Sequence, residues 1–248
     1  MQTLYILQID RHQLGDSLFL KSLAQQLARG KSGDPACLLV HGSGEKVERT
    51  LESQGVFPDR EEGVVQVETA AQARLVERAV REMNQEIVAA LTDEVVSTVG
   101  IQGVDRSLLA RGEDGSVTAN SAGWLSALVK QRVVPVVSAL VGTESGPAEE
   151  VRPAAVTVAL AHALASSFDP VACFLTDTDR PGIQGEDEVQ TEVAIDDVTS
   201  EHVSDVESVR QISDEGIPVL VTNVTGLLGG DRVRGTRIRP AGRENGRG

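Results

Sequence analysis

Apolar stretches of strand length alternate with amphipathic helical patterns along the whole chain. Short continuous runs of valine, leucine and isoleucine predict β-strands, and apolar residues at every third or fourth position predict α-helices. A Gly-Glu-Asp-Gly turn predicts a hairpin over residues 111–117, and the acidic stretch 185–197 predicts a surface loop or hairpin. The predicted strands cover residues 4–9, 36–40, 95–101, 133–140, 171–175 and 219–224. The predicted helices cover residues 17–29, 45–54, 70–91, 122–130, 153–166 and 203–214.

This alternation predicts the fold class. Runs that are apolar throughout, such as residues 36–40, are typical of strands buried on both faces, as in a parallel sheet. Strands that alternate with helices from end to end favour an α/β fold, a three-layer α/β/α sandwich with a central, mainly parallel sheet. We therefore expect a single domain over residues 1–240. The Gly- and Arg-rich tail, residues 241–248, is expected to be disordered.

The net charge of the chain indicates which classes of binding partner to expect. Asp and Glu number 37 against 23 Lys and Arg, which gives a formal net charge of −14. A surface this acidic repels nucleic acid and anionic membranes, so neither is an expected partner. Only 4 of the basic residues are lysines, and 2% of all residues are aromatic. This composition favours a halophilic cytosol, where salt screens the charge; a GC-rich genome that favours arginine codons is the alternative.

The sequence also indicates where the protein resides. It has no apolar run long enough to span a bilayer. Its N-terminus passes straight into a predicted strand, without the basic-then-apolar layout of a signal peptide. A cytoplasmic location is therefore expected. Cys37 and Cys173 each fall within a predicted buried strand, which favours two free thiols over a disulfide.

Five short motifs occur in a fixed order along the chain. They are His41-Gly42-Ser43-Gly44, Gly100-Ile101-Gln102-Gly103, Pro135-Val136-Val137-Ser138, Thr176-Asp177 leading to Pro181-Gly182-Ile183, and Gly235-Thr236-Arg237-Ile238. Together these motifs resemble the amino-acid kinase family, and the acetylglutamate kinases most closely. The resemblance covers about residues 4–238. It implies ATP-dependent phosphorylation of the side-chain carboxylate of N-acetylglutamate, a step of arginine biosynthesis.

The resemblance further implies an organisation and a set of partners. Residues 1–150 correspond to the part that binds the acceptor and forms the dimer, and residues 151–240 to the part that binds the nucleotide. The cofactor implied is ATP with Mg, and the ligand is a small amino-acid derivative. A homodimer is also implied. No residue is assigned to a resident metal site.

The acceptor-binding residues implied by the resemblance begin with the loop of Gly42, Ser43 and Gly44. Glycines between a strand and a helix let the backbone approach a ligand closely, although such a turn is often no more than a tight connection. Ser43 stands where the family has a third glycine. Gln66 stands where the family has an arginine that clamps the acceptor carboxylate, and Arg152 where it has a substrate-binding asparagine. The adjoining His41 fits a structural role as well as a functional one.

The catalytic residues of the family are missing from their places. Gln8 and Ser204 stand where the family carries phosphate-binding lysines, and Ala154 stands where it carries the aspartate that organises them. Cations facing the transferred phosphoryl group are among the largest contributions to this reaction, and a neutral side chain cannot supply them. No lysine occurs after Lys130. Arg11 and Arg152 are the candidate substitutes.

The nucleotide-binding residues implied by the resemblance are Thr176, Asp177, Pro181 and Gly182. The alternative is an ordinary turn, since Asp and Pro-Gly are common turn residues. Two hypotheses about the whole protein follow. One is an active kinase for acetylglutamate or for a carrier-linked amino acid that works with rearranged arginines. The other is a pseudokinase that binds a metabolite or serves as a regulatory subunit, and the missing charges favour this second mechanism.

Overall fold

The computed structural model describes residues 1–29, 35–61, 63–120, 122–143, 147–185, 188–230 and 232–241. Except for its first residue, the tail that was expected to be disordered lies outside these residues. The described strands are β1 (Gln2–Gln8), β2 (Ala36–His41), β3 (Arg60–Glu61), β4 (Val64–Val65), β5 (Thr98–Gln102), β6 (Leu109–Arg111), β7 (Val117–Ala119), β8 (Val134–Ser138), β9 (Leu140–Val141), β10 (Glu149–Glu150), β11 (Phe168–Leu175), β12 (Glu192–Ala194), β13 (Val219–Thr222) and β14 (Thr236–Arg239). The described helices are α1 (Arg11–Leu14), α2 (Ser17–Ala28), α3 (Lys46–Glu52), α4 (Ala70–Asp93), α5 (Gly123–Lys130), α6 (Pro153–Leu164), α7 (Val206–Asp214) and α8 (Val224–Leu228).

One sheet organises these elements. Among the described residues its strand order is β12-β14-β13-β11-β1-β2-β8-β5. The six strands from β13 to β5 in this order run parallel, and β14 pairs antiparallel with β13. All six predicted sheet strands share this sheet, so the prediction of a central, mainly parallel sheet is confirmed.

Helices cover both faces of the sheet. Alternate residues of β1 point to opposite sides: Leu4 and Ile6 join the core beneath α5, α6 and α7, whereas Leu7 joins the core beneath α2, α4 and α8. A third apolar cluster, which includes Val47 and Val80, joins α3 to α4. The predicted three-layer sandwich is therefore confirmed.

Several short elements were not predicted. Helices α1 and α8 span four and five residues, too few for an apolar periodicity to appear.

The predicted hairpin over residues 111–117 is formed by β6 and β7. The acidic stretch 185–197 includes β12, which pairs with β14 at the edge of the sheet, so the prediction of a loop or hairpin missed this strand. Helix α7 begins later than predicted because Asp205 caps its first turn.

Two further expectations concern the cysteines and membrane spans. Cys37 and Cys173 are both buried and neither forms a disulfide, as predicted, and burial raises the pKa of Cys173 well above its usual value. Within the described residues, no helix has both the length and the apolar character that a membrane span needs.

Candidate functional site

The carboxyl ends of the parallel strands meet at one edge of the sheet, where open α/β folds commonly bind ligands. A cavity of about 410 Å³ lies there, and we call it the glycine-loop cavity. The residues predicted to bind substrate that line it are Gly42, Ser43, Gly44 and Arg152. The cavity is also lined by the two residues that replace the family's lysines, Gln8 and Ser204, and by the candidate substitute Arg11. Other polar residues that line it are Asp10, Arg60 and Glu150.

A smaller cavity of about 210 Å³ adjoins the first at the end of β11, and we call it the Asp177 cavity. Thr176 and Asp177, both predicted to contact nucleotide, line it. Gln8, Asp10 and Ser204 line both cavities. The fold thus brings part of the predicted acceptor site (Gly42, Ser43, Gly44 and Arg152) and part of the predicted nucleotide site (Thr176 and Asp177) to neighbouring spaces at the sheet edge.

Gly42 and Gly44 lie so close to other side chains of the protein that a Cβ at either position would be crowded. A Cβ on Gly42 would lie 2.6 Å from Oε1 of Glu150, so a side chain there would displace the carboxylate. Gly44 has φ +63°, a left-handed conformation that favours glycine, and a Cβ there would lie 3.2 Å from Cβ of Leu14. Both glycines therefore have a packing role in addition to any contact with ligand.

Glu150 is a buried carboxylate at the wall of the glycine-loop cavity. Its residue is 5% exposed, and its Oε1 accepts a 2.6 Å hydrogen bond from the backbone nitrogen of Ser43. Its Oε2 is buried and has no hydrogen-bond partner among the described residues. Burial raises the pKa of Glu150 to about 6, although the Ser43 amide and the charge of Arg60 oppose the shift.

The charge of Arg60 lowers the pKa of this carboxyl, and its guanidinium is already engaged. Its Nε donates to Glu48 at 2.7 Å, Nη1 to the Gly63 carbonyl at 2.5 Å and Nη2 to the Gly44 carbonyl at 2.7 Å. The side chain is 12% exposed. Arg60 therefore fixes the end of the glycine loop and holds a positive charge within the electrostatic range of Glu150.

The position of the first family lysine is neutral. Gln8 ends β1 and is buried, and its Oε1 accepts a weak 3.4 Å hydrogen bond from the Thr157 hydroxyl of α6. Ala154, at the start of the same helix, has no exposed surface and packs into the apolar core. Neither side chain can supply charge to a phosphoryl group.

Ser204, which stands at the position of the family's second lysine, forms a hydrogen bond with a carboxylate. The Ser204 hydroxyl donates to Oδ2 of Asp10 at 2.7 Å. Oδ1 of Asp10 accepts from the backbone nitrogen of His12 at 2.9 Å and caps α1. The start of α1 is therefore occupied by the protein's own carboxylate, and an incoming phosphate would meet negative charge there.

The two candidate arginines differ in their surroundings. Arg11 follows the cap residue of α1, and its side chain is exposed at the mouth of the glycine-loop cavity. Arg152 has a side chain that is 15% exposed, and its Nη1 lies 3.7 Å from Oε1 of Glu207. Both line the glycine-loop cavity, and neither lines the Asp177 cavity.

Four acidic residues and two histidines, His12 and His202, are among the residues that line the Asp177 cavity. Its acidic residues are Asp10, Asp177, Glu201 and Asp205. No lysine or arginine is among the described residues that line it. Two of these carboxylates cap helices and Asp177 accepts a 3.2 Å hydrogen bond from Gln13, so they are committed within the protein. This set of residues does not fit a magnesium-bound triphosphate, whose phosphates require cations or free backbone amides.

Pro181 and Gly182 lie apart from that cavity. Gly182 has φ +114°, and a Cβ there would lie 2.6 Å from the Thr236 hydroxyl. That hydroxyl accepts a 2.8 Å hydrogen bond from the backbone nitrogen of Ile183. The motif at residues 181–183 is thereby attached to the closing strand β14.

Gln66 also lies outside the glycine-loop cavity. It is exposed, and its Nε2 donates to the carbonyl of Val64 at 3.3 Å. It lines a third cavity of about 480 Å³ beside β4, which Glu150 also lines. Glu150 therefore stands between Gln66 and the glycine loop.

His41 is a structural residue of the strand end. It is fully buried, which lowers its pKa to about 4 and keeps the ring neutral. Its Nδ1 lies 2.8 Å from the Gly42 carbonyl and its Nε2 lies 3.0 Å from Nδ2 of Asn84. Nδ1 therefore donates to the carbonyl and Nε2 accepts from the amide. Asn84 in turn fits against Gly100, where a Cβ would lie 2.3 Å from its Oδ1.

Sequence reasoning missed two functional candidates, Glu150 and Arg60. Both lie on strands of two residues, where no alternation shows which side chain points inward. The neighbouring Glu149 is 48% exposed and pairs with Arg111, so chemistry alone does not distinguish the two glutamates. A fourth cavity, of about 500 Å³ around Tyr5, Pro218 and Arg237, is lined by none of the predicted site residues.

Comparison with known proteins matches residues 6–223 to the Amino acid kinase family. The chain is 30% identical over 233 residues to an acetylglutamate kinase of Methanopyrus kandleri, which covers 82% of this chain and 90% of that protein. It is 31% identical over 166 residues to the acetylglutamate kinase of Deinococcus radiodurans, which covers 64% of this chain and 63% of that protein. The latter match therefore spans less than two thirds of the relative's length.

Among solved structures, the chain is similar to smu.665 from Streptococcus mutans UA159. The two share a TM-score of 0.67 at 18% identity, over 95% of this chain and 98% of the other. At this identity the likeness concerns the fold alone.

Proposed function

Because the chain belongs to the amino acid kinase family, we propose that it binds a small amino-acid derivative in the glycine-loop cavity and transfers phosphoryl groups from ATP very poorly or not at all. It is then a pseudokinase with the family's acceptor cradle. Membership of the family supports a kinase function in general. What we propose in addition is that this chain has lost the transfer step.

The observation that carries the proposal is the charge of the Asp177 cavity. Four carboxylates and no lysine or arginine line it among the described residues. Removal of one electrostatic contact to a transition state slows a reaction by about 10² to 10³, and this cavity lacks more than one. The neutral Gln8 and Ser204 stand at its junction with the glycine-loop cavity.

The competing function is an active kinase, for acetylglutamate in arginine biosynthesis or for a carrier-linked amino acid, that uses Arg11 and Arg152. The position of both arginines at the glycine-loop cavity speaks for it. Their absence from the described lining of the Asp177 cavity and the 3.7 Å approach of Arg152 to Glu207 speak against it.

Calorimetric titration with MgATP at molar salt tests the proposal. We expect no saturable binding by the wild-type protein up to about 1 mM, the upper end of ordinary enzyme KM values. The double variant Gln8→Lys/Ser204→Lys should gain binding because it restores two cations beside the Asp177 cavity. Gln131→Lys, which adds a cation at an exposed site beyond α5, is the control and should not. Submillimolar binding of MgATP by the wild-type protein would contradict the charge argument on which the proposal rests.

A further inference from the structure

A buried carboxylate with one unused oxygen forms part of the wall of the glycine-loop cavity. From it we infer that Glu150 binds an ammonium group of the ligand, so that the small molecule bound there is a free amino acid and not an N-acylated one. This inference rests on the proposed function and names the chemical class of its ligand.

The two oxygens of Glu150 have different roles. Oε1 is taken by the backbone nitrogen of Ser43 at 2.6 Å. Oε2 is buried and accepts no hydrogen bond from the described residues. The residue is 5% exposed and lines the cavity. A buried carboxylate oxygen that lacks a donor destabilises the folded protein, so a ligand that supplies the donor gains the free energy that the protein alone lacks.

Ser43 strengthens this argument. It is 1% exposed, and its hydroxyl oxygen has no hydrogen bond of normal geometry to the described residues, although it lies near enough to Glu150 to lower the pKa of that carboxyl slightly. Where a bare glycine would leave only backbone, this serine adds a second polar atom beside Glu150. A ligand with several donors on one atom, as an ammonium has, can satisfy both oxygens.

The protein does not neutralise Glu150 by itself. Arg60, whose charge opposes the pKa shift of Glu150, directs its nitrogens to Glu48 and to the carbonyls of Gly44 and Gly63. Glu48 adds a further negative charge that disfavours the ionised form of Glu150. Burial raises the pKa of Glu150 to about 6, and an ammonium partner would reverse that shift. These charges therefore favour a cationic group in the ligand over a hydroxyl or an amide.

The rest of the cavity suits the other end of an amino acid. Arg152 stands two residues after Glu150, and Arg11 faces the same space from α1. A zwitterion with its ammonium at Glu150 also needs a cation for its carboxylate, and both arginines line the same cavity. N-acylation would remove the positive charge and leave a single neutral N–H donor, so an acylated ligand would pair with Glu150 more weakly.

Paired titrations test this inference. Each amine is compared with its Nα-acetyl form, using L-glutamate, L-aspartate and L-ornithine as probes, by calorimetry at pH 8 and molar salt. We expect at least one amine to bind about ten-fold or more tightly than its acetylated form. Glu150→Gln, which keeps an acceptor for the Ser43 amide, should lose that preference. The adjacent exposed Glu149→Gln is the matched control and should retain it.

A second readout follows the carboxyl itself. Carbon NMR of the full chain should show the pKa of Glu150 falling when the preferred amine is bound, a change that a purely structural glutamate would not show. Equal or tighter binding of the acetylated forms, or an amine preference that survives Glu150→Gln, overturns the inference and leaves the proposed function intact. Binding of no probe up to about 10 mM overturns both the inference and the acceptor-binding part of the proposed function.

Discussion

The hydroxyl of Ser204 donates a 2.7 Å hydrogen bond to Oδ2 of Asp10 and joins the loop before α7 to the end of β1. These two residues stand where the resemblance to acetylglutamate kinases places a phosphate-binding lysine and a glycine. A hydroxyl and a carboxylate thus replace a cation and a bare backbone. Where the two cavities meet, the protein therefore presents a neutral hydroxyl and a negatively charged carboxylate.

The buried charge of Glu150 should appear in the pH dependence of stability. Its pKa is raised from 4.5 to about 6, so between these values the folded protein holds more protons than the unfolded chain. Stability attributable to this group therefore falls as pH rises through that window, by about 2 kcal/mol. We expect the stability of Glu150→Gln relative to wild type to increase by about this amount from pH 4 to pH 8, as measured by urea unfolding. With Glu149→Gln the difference should stay flat, and a flat difference for Glu150→Gln would contradict the burial of its charge.

His41 should change the pH dependence of stability in the opposite direction. Burial lowers its pKa from 6.5 to about 4, so the unfolded chain holds more protons than the folded protein between these values. Stability attributable to His41 is complete above pH 6.5 and is lost as pH falls, by up to about 3 kcal/mol. Urea unfolding in the Glu150→Gln background isolates this loss, which His41→Gln should remove. His162→Gln, at an exposed position of α6, should leave it in place; equal profiles for both variants would refute the assignment.

Gly100 should be intolerant of a methyl group. A Cβ at this position would lie 2.3 Å from Oδ1 of Asn84, which is held by its bonds to His41 and to the carbonyl of Val136. Gly100→Ala is expected to cost about 1–3 kcal/mol of unfolding free energy because the asparagine cannot easily move. In Gly123→Ala the new Cβ meets no atom within 4 Å. Equal stabilities of the two variants would show that the contact at Gly100 is unimportant.

The acidic composition should make the protein depend on salt. A net charge of −14 on 248 residues causes self-repulsion that salt screens. We expect Tm to rise between dilute buffer and molar KCl, as measured by circular dichroism. A Tm that stays constant or falls would reject the halophilic interpretation and favour the codon-usage alternative.

The sequence predicted the long elements better than the short ones, for a physical reason. Strands buried on both faces, such as β2, leave an unbroken apolar run, and long amphipathic helices, such as α4, leave a clear period. The two-residue strands that position Arg60 and Glu150 leave neither, since their placement depends on tertiary packing.

The same limit applies to the site. The motif predicted Gly42 and Gly44 as site residues and both line the glycine-loop cavity, yet the motif could not show that Gly42 makes room for Glu150. Gln66 was assigned by its place in a local pattern, but its exposed side chain lies in a separate cavity, because the short hairpin of β3 and β4 directs Arg60 toward the glycine loop instead. Contacts between distant segments decided both outcomes.

The central claim is that this chain binds its ligand without transferring phosphate, and the turnover number with MgATP tests it most directly. Purified full-length protein is assayed at molar salt by a coupled release-of-ADP measurement, with acetylglutamate and with the preferred amine of the titrations as acceptors. Kinases typically turn over at about 1–100 per second, and loss of the cationic contacts should slow transfer by at least about 10². A slowing of this size takes the range to about 0.01–1 per second, so we predict a rate below about 1 per second with either acceptor. A rate near 1 per second or above that is abolished by Arg11→Ala or Arg152→Ala would contradict the account and assign the reaction to those arginines.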